Sequence, residues 1–392
     1  MPRINLLPWR EEERKRRQRE FGVAMGGAVV AGIAVVMAVM FVFSSMIDAQ
    51  NRRNARLTGV KVGPDSLLVP KFTGDLEVVK GRYTGSFEES AGGGTGTHIG
   101  TSIMHELPLG VPKVMVSTVA SRNMAKTVGT KDITMIHSVA DLLGINSISG
   151  RILTVAAAGI SGMVQASWIP DVTKKRIALP FFGFITAGAE ATRQALEELG
   201  YEVVPFHANG IGGMAMEELA AEGYFDGILD FATHELADHL LDGYCGDIGP
   251  QRFEPVPGQS IPRLVVPGGL DCAVLEFTRD SIPQQYQDRQ IFFYDFRSAI
   301  RLNKDETRTL ADQLTQKLNK DAPNVKILIP LQGWSEADRD GGPLHNPSMN
   351  RFFIQQLREK LDPQIDIQEA DLHINDAEFG KIAAKLMNAM LA

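Results

Sequence analysis

The sequence predicts a membrane-anchored α/β protein on three observations. Phe21 to Ile47 is a run without a charged residue. About 20 apolar residues span a bilayer core, so the run is long enough for an N-terminal single transmembrane helix. From Lys174 onward, short apolar runs alternate with helical patterns, which argues for a mostly parallel, doubly wound α/β domain covered on both faces. Between the two lies a glycine-rich loop followed by a strand and a helix, a smaller α/β subdomain. The expected divisions are a cytoplasmic basic peptide (1–20), the transmembrane helix (21–47), a linker or poorly determined stretch (48–91), the subdomain (92–173) and the large domain (174–392).

The first segment carries Arg3, Arg10, Arg14, Lys15, Arg16, Arg17 and Arg19. Positive charge stays on the cytoplasmic side, so this end is expected there and the body outside. Small residues at Gly22, Gly26, Ala28 and Gly32 allow another helix to approach, implying a bitopic membrane neighbour. The peptide Met1-Pro-Arg-Ile-Asn-Leu-Leu-Pro-Trp9, the charged run, the anchor and Gln50 to Leu57 together resemble the start of the type IV pilus inner-membrane assembly protein (PilN). That resemblance implies a bacterial inner-membrane location. It also implies a cytoplasmic actin-like partner docking on Ile4, Asn5, Leu6, Leu7 and Pro8, where two leucines offer apolar anchors and the proline pre-sets an extended backbone.

The formal charge of −7 includes this basic leader, so the remainder is more acidic than the whole. Nonspecific nucleic-acid binding by the body is thereby disfavoured. Cys245 and Cys272 are expected as unpaired thiols in an α/β core. Thr58 to Ala91 gives little signal, since glycines and Pro64 interrupt every short apolar run.

Gly92-Gly-Gly-Thr-Gly-Thr97 opens a helical run, Ile99 to Leu107. Glycines let a backbone approach an anion, and a helix amino end offers unpaired N–H groups. The loop lacks the Gly-Lys-Ser/Thr ending of a P-loop, and a flexible linker is its alternative. Val111 to Thr118 reads as a strand ending in the hydroxyls Ser117 and Thr118. Ser121 and Thr130 follow in loops, and Ser147 to Gln165 reads as a long buried helix with small residues at Ala156, Ala157, Ala158, Gly159 and Gly162. Together these segments resemble the ATP-binding family of the tomato mosaic virus resistance protein, from about Gly92 to Leu391. The resemblance implies ATP as cofactor, with phosphate cradled by Gly93, Gly94, Thr95, Gly96 and Thr97 and hydroxyls from Ser117, Thr118, Ser121 and Thr130. Family members carry an additional strand–helix–strand region with a Gly-Thr-x-Asp-Thr-Lys motif before the loop. This chain lacks the motif, so the subdomain is expected to be truncated, and a homo-oligomer is expected to cover its open edge.

In the large domain, strands are expected at Arg176–Phe182, Tyr201–Phe206, Asp226–Phe231, Pro262–Pro267, Ile291–Tyr294, Val325–Pro330 and Asp366–Ala370. Asn303 with Glu306 forms a capping box before Leu310, Leu314 and Leu318. Asn346 with Pro347 starts a second helix, and Phe379, Ile382, Leu386 and Met390 share one face of the last. Ligands of open α/β sheets gather at the carboxyl ends of the strands. Three loops there are candidates. His207-Ala-Asn-Gly-Ile-Gly-Gly213 offers phosphate or carboxylate binding by Gly210, Gly212 and Gly213, with a structural turn as the alternative. The stretch Gly333 to His345 is a lid or wall, and His373-x-Asn375-Asp376 follows the last strand. His207, His345 and His373 are candidate acid/base groups, with plain loop orientation as the alternative. His234-Glu-Leu-Ala-Asp-His239 resembles a zinc-peptidase helix only superficially, because its histidines are five apart; a solvated helix surface is expected and no metal.

Three functions follow: a nucleotide-binding α/β protein, a non-enzymatic pilus scaffold, or an enzyme acting on small carboxylate or phosphate compounds. Whether the chain is an enzyme stays open.

Overall fold

The computed structural model of the chain describes Arg16 and residues 94–392. The basic peptide with Ile4 to Pro8, the run from Phe21 to Ile47, the stretch 48–91 and Gly93 lie outside the described residues. Among the described residues no helix is long and apolar enough to cross a membrane. The expected single-pass inner-membrane placement is therefore withdrawn. Two compact units divide between Trp168 and Ile169.

The first unit places α1 (Gly94–His105), β1 (Val114–Ser117), α2 (Ala125–Val128), β2 (Thr134–His137) and α3 (Ser149–Gln165) in chain order. β1 and β2 are parallel, with Val114 opposite Thr134. Side chains alternate across a strand. Accordingly Met115 packs with Met104 and Ile133, while Val114 and Val116 pack with Ala156 and Ile160 of α3. The buried Lys113 ammonium donates to Asp132 Oδ1 at 2.6 Å and to the Pro108 carbonyl at 2.7 Å. One expectation is corrected here. α3 is not a buried helix: only Ser149, Ala156 and Ile160 are buried, and Ala157, Ala158, Gly159 and Gly162 are exposed. Two strands supply only a narrow strip for a helix to cover.

The second unit is the mixed α/β domain with a mostly parallel sheet. Its elements are β3 (Arg176–Phe181), α4 (Thr186–Glu198), β4 (Glu202–His207), α5 (Ile211–Ala221), β5 (Gly227–Asp230), α6 (Glu235–Leu240), β6 (Arg263–Val265), β7 (Cys272–Leu275), β8 (Ile291–Phe293), β9 (Ser298–Arg301), α7 (Lys304–Leu318), β10 (Val325–Pro330), α8 (Pro347–Lys360), β11 (Asp366–Ala370) and α9 (Ala377–Leu391). Six strands run parallel in the order β11-β10-β6-β5-β3-β4. Alternate strand residues bury opposite faces. Ile177, Leu179 and Leu229 join Leu196 of α4 with Phe379 and Met387 of α9. Ala178 and Ile228 join Met216 and Ala220 of α5. Val265, Ile327 and Ile329 pack with Leu310 and Leu314 of α7 and with Phe353 and Leu357 of α8.

β7, β9 and β8 form a separate three-stranded antiparallel sheet. Ile291 to Tyr294 was expected in the parallel sheet and belongs here instead. Both cysteines are buried and free. The segment His234 to His239 is corrected as well: His234, Glu235 and Asp238 are buried, not a solvated surface.

Candidate functional site

β3 pairs with β4 on one side and β5 on the other, so the direction of winding reverses between β3 and β5. Such a reversal splays the connecting loops apart and opens a crevice at the carboxyl ends. A cavity of about 390 Å³ opens at those ends. Phe182, Gly183 and Phe184 follow β3 into its wall, and His207 with Ala208 follows β4. Tyr294 and Arg297, from the turn between β8 and β9, and Glu336, beyond β10, complete the polar lining. Gly183 begins the single helical turn that leads into α4, and the first amides of a helical run have no partner within it. Phe184 meets Tyr294 edge-on at 5.1 Å, and the Arg297 guanidinium lies 5.2 Å from the Tyr294 ring and pairs with Asp295 at 2.7 Å. Cys245 and Val274 supply the remaining wall. Burial pushes the Cys245 thiol far up, so it is an inert thiol, and burial raises the Tyr294 phenol too.

Of the candidate histidines, His207 alone lines the cavity. His373 donates from Nε2 to the Ser335 carbonyl at 2.9 Å and accepts the Asn375 N–H on Nδ1 at 3.1 Å. Both nitrogens are engaged in one neutral tautomer, and burial lowers its pKa. His345 Nδ1 lies 3.9 Å from Asp338 Oδ1. Asp338 in turn holds Arg301 at 3.1 Å and accepts from Asn350 Nδ2 at 2.7 Å. His345 and His373 thus flank the turn Ser335–Asp338, whose Glu336 reaches the cavity.

Gly210, Gly212 and Gly213 form a close-packed turn. Gly210 adopts φ +87°, and its N–H donates to Glu235 Oε1 at 2.7 Å. A Cβ at Gly212 would stand 1.9 Å from the His207 carbonyl oxygen, and one at Gly213 would stand 2.7 Å from Glu235 Oε2. The Gly210 amide is thus already taken by a carboxyl group of the protein itself. Glu235 belongs to a buried network: Arg252 contacts Glu235 at 3.0 Å, Asp230 at 2.5 Å and Glu217 at 3.1 Å, while Arg263 contacts Glu217 at 2.7 Å and Asp230 at 2.6 Å. Burial raises Glu235. Burial also raises Glu217, but Arg263 and Arg252 outweigh it and hold that carboxyl low.

In the first unit, Thr97 Oγ1 and Ser117 Oγ share a hydrogen bond of 2.6 Å, both buried. The bond fastens the amino end of α1 to the carboxyl end of β1. Gly94, Thr95 and Ser121 are exposed there, Gly96 is buried and Thr118 is half-buried. Thr130 precedes β2 and so lies at the opposite edge. His105, at the far end of α1, bonds the Thr127 carbonyl at 2.9 Å, about 12 Å of helix away from Thr97. Among the described residues, no group of three His, Cys, Asp or Glu side chains is placed to hold a metal ion.

The sequence reading missed His234, Arg297 and Tyr294, and held Glu336 only within the stretch Gly333 to His345, read as a lid or wall. His234 is fully buried directly after β5 and stacks on Phe182 at 3.6 Å and 15°. Its place behind a strand at the carboxyl edge was the available signal, obscured by the resemblance to a zinc helix.

Two family models match this chain, the N-terminal and C-terminal domains of an uncharacterised protein family (UPF0261), over residues 78–168 and 174–391. Neither reaches residues 1–57, where the pilus resemblance was read. A UPF0261 protein of Clostridium tetani is 37% identical over 307 residues, 77% of this chain and 75% of that protein. A UPF0261 protein of Mesorhizobium japonicum is 34% identical over 302 residues, 76% and 75% of the two chains. The tomato ToMV resistance protein Tm-1(GCR237) is 33% identical over 297 residues, 74% of this chain but only 39% of the tomato protein. The chain belongs to the UPF0261 family, whose function is uncharacterised.

Proposed function

We propose that the second unit binds a small planar anion, a carboxylate or phosphate compound, in the cavity at the carboxyl ends of β3 and β4. The observation that carries this reading is the convergence of three features at the winding reversal: Arg297, the helical amino end at Gly183, and the rings of Phe182, Phe184 and Tyr294. A volume of about 390 Å³ lies within the range of small-molecule pockets. The guanidinium pairs with Asp295 through Nε and Nη2 and leaves Nη1, with the amides, to receive an anion, and the rings supply an apolar wall. His207 adds an acid/base group and Glu336 an acceptor, so the wall can orient a polar substituent.

A second reading is nucleotide binding at the amino end of α1. It is favoured by the Thr97–Ser117 bond, which brings that end to the strand's carboxyl end. The tomato relative is named for virus resistance, and its printed name assigns no ligand.

Calorimetry on the full chain with benzoate, inorganic phosphate and ATP tests both. Benzoate or phosphate is expected to bind, and Arg297→Ala is expected to weaken it at least ~10-fold, about 1.4 kcal/mol. No heat from either small anion, or an unchanged affinity in Arg297→Ala, sinks the first reading. ATP heat that survives Arg297→Ala and disappears in Thr95→Ala/Ser121→Ala supports the second.

A further inference from the structure

His234 is 1% exposed, and neither ring nitrogen has a hydrogen-bond partner. Buried polar atoms are nearly always paired, so two orphans on one ring call for an explanation. The ring lies flat against Phe182, and Phe182 lines the cavity. Behind the pair stands Gly269 at φ +70°, where a Cβ would meet the Phe182 ring at 2.4 Å and His234 Cβ at 2.9 Å. The stack is therefore backed by main chain that tolerates no side chain. Phe182 is the movable partner, since it lines the cavity whereas His234 does not.

We propose that His234 is a concealed ligand-binding residue of the cavity: a bound planar carboxylate displaces the Phe182 ring and hydrogen-bonds to the imidazole. This rests on the reading of the cavity as an anion site. Burial holds the imidazole at a pKa of about 3, with His207 and Arg252 adding to the effect. It is neutral at physiological pH, with one N–H to give and one lone pair to fill. The carboxylate belongs to Arg297, so the group that meets His234 is a second polar substituent on the ligand ring. The substrate class is then an aromatic carboxylate bearing a hydroxyl, which both donates and accepts. His234 acts here as a binding residue, and no bond is made or broken.

The test compares benzoate with 2-, 3- and 4-hydroxybenzoate by calorimetry on wild type, His234→Phe and His234→Gln. Phenylalanine keeps the stacking and removes both nitrogens; glutamine keeps a donor and an acceptor. One hydroxybenzoate is expected to bind wild type at least 10-fold more tightly than benzoate. The gain is expected to vanish in His234→Phe and to return in part in His234→Gln. If benzoate binds but no isomer gains, or the gain survives His234→Phe, the role of His234 is overturned and the cavity reading stands. A second arm needs no ligand. Diethyl pyrocarbonate, followed site by site by mass spectrometry, should modify the exposed His207 in every variant and His234 only in Phe182→Ala. An unmodified His234 in that variant overturns the proposal even if hydroxybenzoates bind.

Discussion

At Gly212 a methyl group has nowhere to go. A Cβ would stand 1.9 Å from the His207 carbonyl oxygen, and main chain cannot swing aside as a side-chain tip can. Gly212→Ala is expected to destabilise the protein by about 2–3 kcal/mol, read from urea unfolding, because the strand end and the helix start must separate. At Gly94 a Cβ would meet nothing within 4 Å, so Gly94→Ala should shift stability by less than ~0.5 kcal/mol. Equal effects at both positions would contradict this. Both glycines lie in the first turn of a helix behind a glycine-rich segment, and in the sequence both suggested a phosphate. What separates them is the close neighbour: Gly212 exists for packing beside His207, and only coordinates supply that. His373 carries the same lesson. Its spacing marked a strand end correctly, but the bonds to Ser335 and Asn375 that occupy both nitrogens come from distant and local main chain alike.

Elements with a local cause were legible. Asn303 Oδ1 accepts from the amides of Asp305 and Glu306, and Glu306 returns a bond to the Asn303 N–H at 2.8 Å, as the spacing of the two residues implied. Asn303→Ala should cost about 1 kcal/mol in urea unfolding, and a loss below ~0.3 kcal/mol would show α7 to be held by packing alone. Asn346 caps α8 ahead of Pro347 by accepting the Met349 amide, without a returned bond. The parallel strands were read to within a few residues because apolar runs buried on both faces are long and bounded by turns. β7 and β9 were missed for the converse reason. Each has four residues, all buried, with no alternation and no turn chemistry at a regular distance. The cavity was legible at His207 and, without the residue, in the stretch Gly333 to His345 that supplies Glu336. Arg297, Tyr294 and Glu336 come from loops without periodicity, and they meet because the winding reversal brings separate strand ends together. The order of strands, not any one motif, placed the site.

Over the molecule as a whole, buried titrating groups pull stability in opposite directions with pH. Asp238 ordinarily ionises near 3.8; burial pushes it up to about 7 despite the Val274 and Cys245 amides it accepts from. Between those values the folded state keeps a proton that the unfolded state has released, so stability falls as pH rises. Asp271, raised by burial and by Asp338, acts in the same sense. His234 acts the other way. Its ordinary value is 6.5 and burial takes it to about 3, so the unfolded state holds the extra proton and stability is lost as pH falls through that window. Glu217, held below its ordinary 4.5 by Arg263 and Arg252 against burial, adds to the loss in acid. Between about pH 4 and 7 Asp238, Asp271 and the buried Glu235 therefore lower stability as pH rises, against His234 and His373, which raise it, and below pH 4 the acid losses remain. Urea unfolding across pH 3–8 should show greatest stability between pH 4 and 5 and a decline towards neutrality. In Asp238→Asn that decline should flatten, whatever the substitution costs at any single pH, because the slope counts protons and not contacts. In His234→Phe it should steepen, since the more deeply buried of the two opposing histidines is gone. A wild-type profile that rises steadily from pH 5 to 7 would mean that Asp238 and Asp271 ionise in the folded protein much as they do in the unfolded chain.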